Sequence, residues 1–388
     1  MEILLWAIVI FLLLPAAVVV LECSIACMPW RAEQTHTDEF RPHVVVLMPA
    51  HNESAVIAKT LDSIMPQLMD GDRLLLVADN CSDDTAAIAE TLGAQVLKRF
   101  DDELRGKSYA LAFGVETLRE SPPEVLIIID ADCHLQSGSL DVLAKTAYRL
   151  NAPVQALDMM LAGKQSPVRQ KIAAFAWIVK NHVRALGMSR LGMPCPLMGT
   201  GMAFPWQIIS RMDLATGALA EDMLLGGELV VRGHAPVFCP AACVTSEFPV
   251  SDCDTRTQRQ RWEHGHLSMI CNHAPKLLKA VLQRGDLKGV YFSIDMMVPP
   301  LALHSMLMLL GLGITGLAAG FGYGLPFEVM LAGTGLFVSA LMLARARYAR
   351  NVIGIKDTLQ IPFYIFSKLS VYVSYVFSRE KNWVKTKR

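Results

Sequence analysis

Apolar residues run without a charge from Ile3 to Leu21, as ILLWAIVIFLLLPAAVVVL. As a helix that run can cross ~30 Å of hydrocarbon. Two further apolar stretches, Val298–Gly320 and Phe327–Ala344, are separated by a short loop with no Lys or Arg. Each of the three predicts a membrane-spanning helix. A cleaved signal peptide would want Lys or Arg ahead of the first run, where Glu2 is the only charge. A retained helix is therefore expected, and the same missing charge argues against reading SIAC, ending at Cys27, as a lipoprotein box. A fourth stretch, Leu359–Phe377, contains Lys368 and leads into SREKNWVKTKR. Crossing there would export a basic tail, so it predicts an interfacial helix with its aromatics among the headgroups.

From Pro42 to about Pro249 the pattern changes: short apolar runs alternate with helical stretches, the rhythm of a mostly parallel α/β sheet. Strands are expected at Val44–Met48, Leu74–Ala78 and Val125–Ile129. They end in Pro-Ala-His-Asn-Glu, in the polar turn ADNCSDDT, and in Asp-Ala-Asp. In an open α/β sheet that edge is where ligands bind. Ser82 or Asp83 is placed to cap the following helix. The expected organisation is a transmembrane helix in 1–30, a cytoplasmic α/β domain in 40–285, two transmembrane helices in 286–350, and an interfacial helix with a basic tail in 351–388.

Composition adds the membrane and little else. The 36 Lys and Arg balance 36 Asp and Glu, which gives no pull toward nucleic acid, while 53% of the chain is hydrophobic. Arg31 follows the first span and Arg345, Arg347 and Arg350 follow the third. The positive-inside rule then puts 31–297 in the cytoplasm, as in a multi-pass protein of the inner membrane. Nine cysteines are scattered and read as buried free thiols. Cys239 and Cys243 have a zinc-like spacing but no second ligand pair. No Gly-rich phosphate loop of the dinucleotide or P-loop type is present.

Two clusters carry candidate chemistry. Asp130 and Asp132, as alternate residues of a strand, would share a face, and their carboxylates repel unless a cation lies between them. Hard oxygen-seeking ions such as Mg²⁺ or Mn²⁺ suit that place. Two solvated strand-end acids are the plain alternative. The segment QRQRWEHGH, Gln258–His266, could be a basic patch, a zinc site at His264 and His266, or a grip on an anion. Two histidines without further ligands make a poor zinc site, and their role stays unassigned.

In order, the chain shows PAHNE, ADNCSDDT, GKSYAL, DAD, GTGMAF, AED and QRQRW. From Val44 to Trp262 this resembles the membrane-bound inverting glycosyltransferases of family 2, the group containing cellulose, chitin and hyaluronan synthases. The resemblance implies an α/β domain of GT-A type that uses a nucleotide diphosphate sugar, a UDP-sugar above others. It implies single displacement with inversion, in the making of exopolysaccharide or another cell-surface polysaccharide. Asp132 would ligate the metal, with Asp130 near the ribose or the metal. Asp222 would be the general base and Glu221 its support. Lys107 would add a point charge, and Gln258 and Arg261 would hold the diphosphate, with Arg259 at an optional basic position. Trp262 would offer a face for an acceptor sugar. His51, Asn52, Glu53 and Asp79 would line the nucleotide base, Asp79 on its edge. Asn80 and Cys81 depart from the commoner Asp-Asp-Gly-Ser turn and leave the base open. Gly199 and Gly201 would let backbone approach the acceptor.

Two rival readings remain. One is transfer to a membrane lipid, ceramide-like or a polyprenyl phosphate. The other is an inactive nucleotide-binding scaffold, against which the intact Asp132, Asp222 and Arg261 argue. Three spans, almost without polar side chains apart from His304, cannot readily enclose a sugar-wide conduit. One chain is thus expected to add one or a few sugars, or to work with an oligomer or an export partner.

Overall fold

A computed structural model describes residues 1–30, 40–163, 165–248 and 252–377, without the side chains of 252–259 and 376. Arg31 and the basic tail from Ser378 lie outside the described residues. The chain divides into two compact units.

The first unit comprises residues 40–161 and Pro194–Trp262. It is built on an eight-stranded sheet: β1 Val44–Ala50, β2 Arg73–Asp79, β3 Gln95–Arg99, β4 Val125–Ile128, β5 His134–Leu135, β6 Val154–Leu161, β7 Met202–Pro205 and β8 Val237–Glu247. Their spatial order is β3-β2-β1-β4-β7-β6-β8-β5. The half around β1 is parallel, with Val46 facing Leu74 on one side and Ile127 on the other. Beyond β4 the sheet is mixed, because β7 runs antiparallel to both β4 and β6. The expected strands are present, though β4 stops one residue early.

β1 is apolar throughout because helices cover both faces of the sheet. Its side chains alternate between two cores, as the two-residue period of a strand requires. Val44, Val46 and Met48 pack with the helices Ile57–Ile64 and Ser139–Leu150. Val45 and Leu47 pack with the helices Lys107–Thr117 and Glu221–Val231, around Phe204. The carboxyl ends of β1, β2 and β4 are left open to carry polar loops.

The second unit gathers Met1–Trp30, Ala162–Met193 and the chain from Glu263 onward. Three of its helices are long and apolar enough to cross a membrane: Glu2–Cys27, Leu301–Ala319 and Gly324–Ala349. Ala162–Met193, at which the sequence reading drew no boundary, folds as the helix Val168–Trp177, a π-helical stretch Ile178–Arg184, and the helix Ala185–Arg190. The expected helix over Leu359–Phe377 is two helices, Ile361–Ser367 and Leu369–Phe377, interrupted at Lys368.

Glycines allow close helix contact in this unit. A Cβ on Gly311 would strike Leu12 and Met330, and one on Gly187 would lie within 2.8 Å of the Glu22 backbone. Glu22 is fully buried. Arg184 donates to its Oε2 at 2.6 Å and also pairs with Asp295, while the Tyr291 hydroxyl donates to its Oε1 at 2.9 Å. This junction ties three distant stretches of sequence, and removing Arg184 would leave the Glu22 and Asp295 carboxylates without their shared cation. Gly187→Val should therefore lower the melting temperature by several degrees, since overpacking against backbone costs about 1–3 kcal/mol. Gly313, which has open space around it, supplies the control. Equal melting of Gly187→Val and Gly313→Val in detergent would refute the close contact.

Candidate active site

Asp130 and Asp132 do not alternate along a strand as expected. β4 ends at Ile128, and Ala131 and Asp132 form a turn. The turn nonetheless brings the Asp130 and Asp132 carboxylates and the Cys133 thiol within 4.8 Å of one another. Two carboxylates suit a hard divalent cation. The Cys133 thiol suits it poorly: burial pushes its pKa well above the ordinary value, and it lies 3.4 Å from Asp132 Oδ1 as a donor.

Lys107 opens the helix Lys107–Thr117. Its Nζ lies 2.5 Å from Asp130 Oδ1 and 3.7 Å from Glu221 Oε1, and it donates to the Gly199 carbonyl at 2.8 Å. Burial works against its charge, but Asp130 and Glu221 outweigh that and raise its pKa. Glu221 and Asp222 occupy the first turn of the helix Glu221–Val231, where acids complement the exposed N–H groups. Burial, with repulsion from Asp222, raises the Glu221 pKa to about 7 against the pull of Lys107. Asp222 Oδ1 accepts from the Met223 N–H at 2.8 Å.

Gly199 and Gly201 both have positive φ, +89° and +63°, a region where side chains are strained. A Cβ on Gly199 would stand 3.4 Å from Asp222 Oδ2 and 3.5 Å from Lys107 Nζ. Gly201 has a different reason, since a Cβ there would meet Val244 and Ala156 in the sheet. Gln155, fully buried on β6, fixes the loop between them. It donates to Thr200 O at 2.9 Å and accepts from the Met198 N–H at 2.8 Å. Thr200 Oγ1 in turn accepts from the Asp130 N–H at 3.1 Å. Sequence reasoning missed Gln155, although a Gln within the apolar run PVQAL was a signal.

The loops after β1 and β2 knit into one turn system. Asn52 and Asn80 both take left-handed backbone, which Asn tolerates well. Asn52 Oδ1 accepts from the Ser82 N–H at 2.7 Å, and Asn80 Oδ1 from the Asp101 N–H at 2.9 Å. His51 Nδ1 lies 2.7 Å from the Asp79 carbonyl, and the Glu53 N–H donates to Thr85 Oγ1. Asp83 accepts from Thr85 and Ser54 rather than serving as a simple cap; burial opposes its charge, but these hydrogen bonds hold its pKa at about 2. Asp79 is buried and accepts from Arg99 Nη1 at 2.6 Å; Arg99 also pairs with Asp101 at 3.0 Å. Arg99 was not singled out from sequence, because nothing local distinguishes it from any basic strand end.

The helix Asp252–Asn272 carries the QRQRWEHGH segment. The side chains of Gln258 and Arg259 lie outside the described residues, and Arg261 and Trp262 are partly buried. His264 is buried with Nε2 3.1 Å from the Val371 carbonyl, and burial pushes the His266 pKa down to about 3. Among the described residues the Asp130–Asp132–Cys133 group alone could hold a metal, and the described cysteines are free.

Comparison with known proteins agrees with this architecture. The chain is 27% identical over 266 residues to "Probable glycosyltransferase YdaM" of Bacillus subtilis (strain 168), covering 65% of this chain and 61% of that protein's length. The mannosyltransferase PcManGT from Pyrobaculum calidifontis, solved with GDP-Man and Mn²⁺, superposes with a TM-score of 0.56. The match covers 98% of this chain and 99% of that one at 16% identity, a likeness of fold. Residues 42–265, which hold every strand and the loops described above, match the family described as glycosyltransferase like family 2, and this chain belongs to it.

Proposed function

We propose that the protein is a membrane-anchored inverting glycosyltransferase, with its sheet unit in the cytoplasm. It would move a sugar from a nucleotide diphosphate sugar, a UDP-sugar first, to a glycan or lipid-linked acceptor in cell-surface polysaccharide synthesis. The observation that carries this reading is electrostatic. Asp130, Glu221 and Asp222 lie about the Lys107 ammonium with Asp132 beside Asp130, and such a cluster repels a diphosphate unless a cation joins it. Asp132 and Asp130 would hold Mg²⁺ or Mn²⁺, which when bound offsets charge on the leaving diphosphate.

The chain's own groups do the rest. Asp222 takes the proton of the acceptor hydroxyl as its oxygen bonds the anomeric carbon. The bond from that carbon to the diphosphate breaks, and the diphosphate leaves with the electron pair. Lys107 holds Asp130 and the Gly199 loop in register, which places the base beside the loop. Gln258 and Arg261 steady the diphosphate, Arg259 adds charge nearby, and Trp262 packs against the acceptor sugar. His51, Asn52, Glu53 and Asp79 shape the base pocket, with Arg99 holding the Asp79 side chain in place.

A lipid-linked acceptor is favoured over long polymer export by one observation. Among the described residues only three helices are long and apolar enough to cross a membrane, too few for a polar conduit within one chain. Membranes containing the protein, incubated with labelled UDP-sugars and with GDP-mannose, test both points. Release of nucleotide with label passing into organic solvent supports lipid transfer, and label in water-soluble polymer supports a glycan product. No release from any donor would leave the scaffold reading.

A further inference from the structure

We propose that Glu263 and Lys368 are positioning residues that fasten the Arg261–Trp262 helix to the paired helices Ile361–Ser367 and Leu369–Phe377. The inference rests on the transferase reading above, in which Arg261 and Trp262 handle diphosphate and acceptor. The helix Asp252–Asn272 runs unbroken, so Glu263 and His264 continue the same backbone as Arg261 and Trp262. Lys368 Nζ pairs with Glu263 Oε1, and the two side chains are only 10% and 15% exposed. The Tyr364 ring lies 5.8 Å from the same ammonium. One residue on, His264 is fully buried: its Nε2 lies 3.1 Å from the Val371 carbonyl and 3.3 Å from Ser374 Oγ. Its ring meets Tyr375 edge-on at 5.3 Å.

This is a polar clasp in a mostly apolar unit. A buried ion pair adds little net stability over apolar packing, yet losing one partner is costly. Its value therefore lies in fixing one register, as directional contacts do and apolar ones do not. Lys368 stands where the helix pair breaks, which lets its ammonium turn inward. The opposite side of that pair exposes Leu359, Phe363, Phe366, Leu369, Val373 and Phe377. Within each helix, Phe363 and Phe366 in the first and Leu369, Val373 and Phe377 in the second, the spacing of three and four residues makes an apolar face, suited to the bilayer surface. The clasp thus ties a lipid-facing element to Glu263 and His264, which follow Arg261 and Trp262 in the same helix. It also gives His264 a role that sequence left unassigned.

The test compares full-length wild type, Lys368→Met and Lys368→Arg in lipid nanodiscs. Three quantities are read: donor kinetics, affinity for the nucleoside diphosphate, and backbone hydrogen exchange over 252–266. Lys368→Met should speed exchange in that segment and lower kcat/KM by about 10- to 100-fold, the range expected of a slight misplacement. Lys368→Arg, which keeps the charge, should behave as wild type in all three. Melting curves exclude a variant that has simply failed to fold, and Lys368→Arg then decides. If wild type itself releases no nucleotide, the transferase reading fails, and exchange with nucleotide affinity still decides the clasp. Wild-type exchange in Lys368→Met overturns the proposal, and so does faster exchange with unchanged kinetics or affinity.

Discussion

Asp222→Asn leaves donor binding in place and lowers sugar transfer by ~10²- to 10⁴-fold, the usual worth of a general base. The substitution is nearly isosteric, and the amide oxygen can still accept from the Met223 N–H as Asp222 does. What is lost is the capacity to take a proton beside the Gly199 loop. Glu221 is the instructive comparison, because burial has raised its pKa to about 7 and made it the other natural proton acceptor. Its contact with Lys107 ties it to the cluster rather than to an incoming hydroxyl. Glu221→Gln should thus weaken donor binding more than transfer. Initial rates and nucleotide titrations of both variants settle the assignment. A larger loss of turnover in Glu221→Gln, at unchanged affinity, would hand the role of base to Glu221.

Asp132→Asn is expected to abolish detectable turnover and weaken nucleotide binding, a loss of at least ~10²- to 10³-fold, as when one stabiliser of transition-state charge is removed. A chelator should do the same to wild type, with activity restored by Mn²⁺ or Mg²⁺. The reason is the excess of carboxylate around Lys107, which leaves the site repulsive to a diphosphate. Metal content measured on the purified protein gives a readout independent of turnover. Full activity in excess chelator, from protein free of metal, would overturn this account.

The sequence made strand ends legible because buried parallel strands must be apolar on both faces, and the polar residues after them stand out. PAHNE and ADNCSDDT begin on the last residues of β1 and β2 and run out into loops, and AED opens a helix, whereas DAD follows β4 as a turn rather than continuing the strand. Details set by tertiary geometry were hidden. Asp130 and Asp132 approach through a turn, since β4 ends sooner than its apolar pattern does. Arg99 and Gln155 act through partners 20 and 45 residues away, on Asp79 and Thr200, and no local period records that. Gly201 looked like Gly199 in sequence, yet it is crowded by neighbouring strands rather than by the acid pair. The stretch Ala162–Met193 has an ordinary helical composition, so nothing in it announced membership of the apolar unit.

The ionic junction at Glu22 has a consequence for how the chain is made. Arg184 follows Glu22 by 162 residues, so at about 5–20 residues per second the ribosome needs very roughly 10–30 s to deliver it. Through that interval the first apolar helix carries an acid whose cation does not yet exist, and Asp295 comes later still. In a membrane-anchored protein the nascent helix would wait without its partner while much of the sheet emerges. Slowing elongation between Glu22 and Arg184 should lengthen that exposed interval and make the nascent protein more susceptible to quality-control proteolysis.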